Sequence, residues 1–247
     1  MRKKCKPDNL FSQVICTLAE NKQLRSSQLR QSCETLVAML RDSTKQQIIM
    51  NIEEVKQLIK LLKSKNVYFE IGLTENEILQ VENRFDILFP PDLKLFLTTE
   101  LPISEKFVNW RLGLKSKDEA DKILDRLNWP LEGMLFDLQS NEFWIKSWGD
   151  KPNTYEEKER IAKENYSNWP KLIPIYSHRY IPSQPNKDGN PIFSVYQMDI
   201  IYYGFDLATY FANEFSFKLT REFKSIDKPN KEIEFWTNWV ENEWMEN

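Results

Sequence analysis

Glycine, histidine and cysteine are scarce in this chain, with six, one and three among 247 residues, and each scarcity closes off chemistry. Six scattered glycines form no GxGxxG and no GxxxxGK[ST] run. No backbone segment is therefore shaped to cradle a pyrophosphate, and nucleotide-dependent chemistry is not expected. A Ser-His or Cys-His catalytic arrangement would hang entirely on His178, the one histidine. Its neighbour Ser177 falls in a strand-like stretch, where adjacent side chains point to opposite faces, so the two are expected to be badly placed as nucleophile and base. Cys5, Cys16 and Cys33 are odd in number and match no metal-ligand spacing. With so few soft ligands, neither a transition-metal site nor a disulfide scaffold is expected, and no cofactor is implied. Apolar runs are short, Ile200–Tyr203 being typical, and none approaches the roughly 20 residues of a membrane span. Ser12, Gln13, Glu20 and Asn21 interrupt the stretch where the apolar region of a signal peptide would follow the basic start. A cytoplasmic protein with no membrane contact is expected.

What is present divides near Met50. Residues 1–49 hold nine Lys or Arg against four Asp or Glu, a balance of +5, which leaves −8 for residues 50–247 out of the total of −3. All three cysteines lie before that point and all six glycines after it, while Phe11 is the only one of 32 aromatic residues in the first part. The first part keeps helical periodicity through Phe11, Val14, Ile15 and Leu18 and through Leu29, Cys33, Leu36, Val37 and Leu40. It lacks large apolar side chains, so it leans on the main domain, binds a partner, stays mobile, or is an upstream extension ahead of a start at Met50. Residues 1–49 are thus read as a basic helical extension and residues 50–247 as the domain.

From Met50 onward the periodicity is strong. Ile52, Val55, Leu58, Ile59 and Leu62 predict a first helix, with Glu53 and Glu54 placed where the helix dipole favours negative charge. Thr74 and Glu77 form a capping box that opens a second helix with Ile78, Val81 and Phe85 buried. Pro91 suits the first position of a third helix that buries Leu93, Phe96 and Leu97. Between Leu101 and Gly149, Pro102, Gly113, Pro130 and Gly133 divide the chain, predicting a helix over 118–127 and a strand over 134–138. The polar run Tyr155–Tyr166 reads as a solvent-facing helix, a lid or an edge element. Residues 172–176, 192–196 and 200–203 read as strands of an antiparallel meander, with 185–190 as a turn. Helix then returns over 206–215, and from about Asn230 a last element presents Ile233, Trp236, Val240 and Trp244 on one face. Helices, then strands, then helices make an α+β domain.

Charge bears on partners. Phosphate recognition runs on Lys and Arg, so a domain at −8 is not expected to bind nucleic acid. Such a domain is matched instead to a basic protein, toward which its field would steer association. Eight tryptophans supply core burial, while Trp110-Arg111 and Trp129-Pro130, read as loop dipeptides, are candidate hot spots for a protein partner.

Several segments resemble one known family. Residues 72–78 (GLTENEI), Phe85 and 89–97 (FPPDLKLFL) look like the opening helical signature of the SUKH superfamily, and 169–175, 178–182, 191–195 and 199–204 are similar to strand segments of its bacterial members. The likeness spans roughly residues 51 to 215 and departs after the third helix, where many members have an Asn-Gly turn and this chain reads Thr98-Thr-Glu-Leu-Pro102. The resemblance implies a central, mostly antiparallel sheet flanked by helices and no catalytic residues. It also implies a binding role, chiefly as an immunity protein that neutralises a polymorphic toxin; the charge balance points to a basic toxin domain, such as a nuclease, as the partner. The alternatives are a regulatory scaffold of the cell-wall-assembly kind and a carboxylate-dependent hydrolase, which would need a deep pocket around a carboxyl of raised pKa. Candidate partner contacts are Trp110, Arg111, His178, Arg179 and Tyr180. The competing reading of 178–180 is a sheet-edge segment whose arginine pairs with a carboxylate.

Overall fold

The computed structural model describes residues 50–219 and 228–241. The chain divides into two units, Met1–Gln47 and Ile48–Asn247, and every element below belongs to the second. The helices expected before Met50, and Trp244, lie outside the described residues.

The opening is helical and capped by its own side chains. In α1 (Ile52–Lys63), Asn51 accepts from the amides of Glu53 and Glu54, while the Glu54 carboxylate takes the Asn51 amide at 2.8 Å. Val55, Leu58, Ile59 and Leu62 are buried, and Ile52 stays exposed. A short strand, β1 (Phe69–Ile71), leads to α2 (Glu75–Phe85), where Thr74 and Glu77 form the expected capping box and Ile78, Val81 and Phe85 are buried. Pro91 opens α3 (Pro91–Thr99), whose Leu93, Phe96 and Leu97 are buried. β2 (Glu100–Pro102) then pairs antiparallel with β1. Gly72 lets the backbone cross the end of α3: a Cβ there would lie 2.0 Å from the Thr98 carbonyl oxygen.

After α4 (Trp110–Lys115) comes α5 (Lys117–Ser140), one helix of 24 residues that overrides two sequence expectations. Residues 134–138 are its last turns, not a strand, and Trp129-Pro130 is helical, not a loop; Trp110-Arg111 likewise opens α4. Tertiary burial decides this, since Met134, Leu135 and Leu138 pack into a core that rewards the helical spacing. Pro130 has no N–H to offer the Arg126 carbonyl four residues back, and the Tyr180 hydroxyl fills that vacancy at 2.9 Å. Gly133 lets α5 approach the backbone of Gln197, 2.6 Å from where a Cβ would stand.

A 3₁₀ turn (Lys146–Trp148) and α6 (Tyr155–Tyr166), which buries only Ala162, lead into four strands: β3 (Leu172–Tyr176), β4 (Arg179–Pro182), β5 (Ile192–Tyr196) and β6 (Asp199–Gly204). They form an antiparallel meander in the order β3-β4-β5-β6, so the fold is α+β with two small antiparallel sheets. Residues 179–182 are thus an interior strand, not a sheet edge. Both faces of the meander are covered, with Ile173, Ile175, Ile181 and Ile192 in one core and Leu172, Tyr180, Phe193 and Val195 in the other. Neighbouring residues therefore alternate between two buried faces, which is why these strands read as continuous apolar runs. α7 (Leu207–Glu214), capped by Asp206, and α8 (Trp236–Val240) complete the described elements. Among the described residues no helix is long and apolar enough to cross a membrane.

Candidate functional site

The five residues expected to face a partner are placed very differently. Trp110 is buried, its ring edge-on to Phe85 and Phe89 with centroids 5.9 and 5.1 Å away. Arg111 is a structural clamp that donates to Glu77 Oε1 at 2.6 Å, to Glu70 at 2.9 Å and to the carbonyls of Ile71 and Gly72 at 2.9 and 2.8 Å. The Arg111 guanidinium holds the Glu77 carboxyl down to about 2. Arg179 is also buried; it donates to Glu214 at 2.9 Å and to Ser194 at 2.7 Å, and lies 3.6 Å from the centroid of the Tyr203 ring. These three side chains are occupied inside the fold.

His178 and Tyr180 are different, because both line an open recess of about 510 Å³ between α5 and the turns of the meander. Its other walls come from Lys122, Asp125, Arg126 and Trp129 of α5, from Ser177, and from Tyr196 at the end of β5. Trp129 is 47% exposed and Tyr196 60% exposed, so two large aromatic side chains border the recess without closing over it. The frame behind them is pinned by hydrogen bonds. Tyr180 ties β4 to the Arg126 carbonyl, and Asp137 accepts the Met198 amide at 2.9 Å, fixing α5 to the β5–β6 turn. Tyr180 itself is only 1% exposed, so it serves as floor.

Arg126 reaches in from α5 and donates to the carbonyls of Ser177 at 2.8 Å and Lys106 at 3.3 Å. Burial lowers its pKa from the ordinary value. Burial also lowers that of His178, helped by the nearby Arg179 charge, so the imidazole is neutral at pH 7. The Ser177 Oγ lies 3.2 Å from His178 Nδ1, against the sequence expectation that they diverge. The reason is local: the two form the turn between β3 and β4, and Ser177 has a left-handed φ of 48°, so strand alternation does not apply. Among the described residues no carboxylate hydrogen-bonds the imidazole, so the orienting group of a Ser-His catalytic set has no counterpart here.

No family model, curated protein or solved structure matches this chain.

The buried carboxyl of Asp92 is tied into the fold. Asp92 is 1% exposed and burial pushes its carboxyl up to about 6, yet both its oxygens are engaged, by the amides of Leu93 and Gly189 at 2.9 and 2.8 Å. With Asp188, Asn190 and Lys231 it fastens the 183–191 loop to the start of α3, and it lines neither the recess above nor a second, polar one of about 400 Å³ beside Trp169 and Lys171. Among the described residues no cluster of three or more His, Cys, Asp or Glu is placed to hold a metal ion. Arg126 and Tyr196 escaped the sequence reading, because nothing local marks where two distant segments will face each other. Trp129 was marked, by the proline beside it.

Proposed function

We propose that this chain is a non-enzymatic protein-binding domain, an immunity protein that neutralises a toxin by covering it, and that the recess bordered by Trp129 and Tyr196 lies at the centre of its contact face. The observation that carries the reading is the exposure of these two aromatics on a frame held by the Tyr180–Arg126 and Asp137–Met198 bonds. Rigid aromatic anchors beside a preformed hollow are what a protein partner exploits, because little side-chain freedom is lost on docking. The resemblance of residues 51–215 to the SUKH superfamily supports the toxin as partner, and the balance of −8 from residue 50 onward fits a basic one.

The test is co-expression of the full chain with the toxin domain encoded next to its gene, scored by cell survival. The native chain should protect, and a Trp129→Ala/Tyr196→Ala double variant with an unchanged melting temperature should not. Protection that persists in the double variant would move the contact face elsewhere. Stable capture of a host regulatory protein, with no protection from the toxin, would instead favour the scaffold reading.

A further inference from the structure

The recess also says something about the chemistry of the partner, an inference that rests on the protein-binding reading above. A guanidinium offers five N–H donors in a planar fork. Arg111, Arg160 and Arg179 each hold a carboxylate, at distances between 2.5 and 2.9 Å. Arg126, like Arg84, holds none among the described residues; it donates to the carbonyls of Ser177 and Lys106, and its other three N–H groups have no hydrogen-bond partner among those residues. A half-buried guanidinium with N–H groups to spare, in a recess also lined by Trp129 and Tyr196, matches an acceptor that is anionic, planar and followed by apolar surface.

We infer that the recess receives one acidic residue of the partner protein, its carboxylate on the remaining N–H groups of Arg126 and an adjoining apolar side chain between Trp129 and Tyr196. The local charge limits the ligand to a single anion. Lys122 at the rim is already paired with Glu119 at 3.1 Å, Asp125 is part of the lining, and His178 is kept neutral by burial. A nucleic-acid strand would need a track of cations and would meet a domain carrying −8, whereas one carboxylate in a basic partner meets neither obstacle.

The inference is tested on the full chain labelled with 5-fluorotryptophan, the Trp129 resonance being assigned through Trp129→Phe. N-acetyl-tryptophan should shift that resonance saturably, and N-acetyl-tryptophanamide, which lacks the carboxylate, should bind roughly tenfold more weakly. In Arg126→Gln the two should bind alike. The acid-to-amide ratio in the native chain does not depend on that variant folding. Equal binding of acid and amide, no shift with either, or tighter binding of oligothymidylate than of the acid would each overturn the inference. Survival assays separate this failure from that of the parent reading. If Arg126→Gln still protects while Trp129→Ala/Tyr196→Ala does not, the acidic contact falls and the protein-binding site stands.

Discussion

The two cores on either side of the meander are closed by different means. Toward α1–α4, helices close the core, and their ends are satisfied locally: Asn51 with Glu54, Thr74 with Glu77, and Asn109 accepting the amide of Leu112. Toward α6 and α8, short segments far apart in sequence converge, and aromatic rings fill the space. Trp169 stacks on Phe235, and Tyr166, Trp236 and Trp239 surround them. Indole N–H groups there satisfy loop carbonyls, Trp236 that of Pro170 at 2.7 Å and Trp239 that of Met198 at 2.9 Å. Rings are buried in the first core too, Phe85, Phe96, Trp110 and Phe211 among them, but these four lie on helices, whereas in the second a few large side chains from scattered segments each do several jobs. A single residue should therefore matter more in the second.

The largest expected effect follows from that asymmetry. Trp236 is 1% exposed and joins α8 to Tyr166, Trp169 and Pro170. Trp236→Ala should cost about 4 kcal/mol in urea unfolding, through the cavity and the orphaned Pro170 carbonyl. Leu58→Ala, in the first core, should cost nearer 3 kcal/mol. Equal losses, or a larger one at Leu58, would remove the claimed asymmetry.

The first core is also the one that the sequence disclosed. Its first three helices begin where Glu53, Thr74 and Pro91 indicated, because a cap and a 3.6-residue period are properties of contiguous residues, while α4 reads as a loop in the sequence. The four strands were largely legible too, with Arg179–Pro182 recovered as a strand only through the family likeness. The candidate site was hardly legible. Its two borders belong to α5, misread at Pro130 and Gly133, and to Tyr196, 67 residues further on; only tertiary packing brings them together. Three of the five named contacts, Trp110, Arg111 and Arg179, were chosen for residue type, and residue type does not distinguish a clamp from a contact.

A second effect, of about 3 kcal/mol, concerns pH and the junction that holds the 183–191 loop on the first core. Folding raises the Asp92 pKa from 3.8 to about 6, so between those values the folded chain binds more protons than the unfolded one. The contribution of this group to stability is full below about pH 3.8 and is lost as the pH rises through about 6, a fall of about 3 kcal/mol. Asp92→Asn removes the titration. The stability difference between native chain and variant, from urea midpoints at pH 4 and pH 7.5, should therefore shift in the variant's favour by about 2.5 kcal/mol. Parallel pH curves would show that Asp92 does not titrate in this window.

The smallest effect probes the helix that serves both cores, since Ala120 and Ile123 of α5 belong to the first and Met134, Leu135 and Leu138 to the second. If Tyr180 stands in for the N–H that Pro130 lacks, the two positions are energetically coupled. Tyr180→Phe alone leaves the Arg126 carbonyl without either donor and should cost about 1 kcal/mol. In a Pro130→Ala background the backbone regains its own N–H, the carbonyl keeps a partner, and the same Tyr180→Phe change should cost less than half as much. A double-mutant cycle gives the coupling as the difference. A coupling of zero would mean that the carbonyl is satisfied by solvent when the hydroxyl is removed. The frame behind Trp129 would then be held by side-chain packing and the Asp137–Met198 bond, without a contribution from Tyr180.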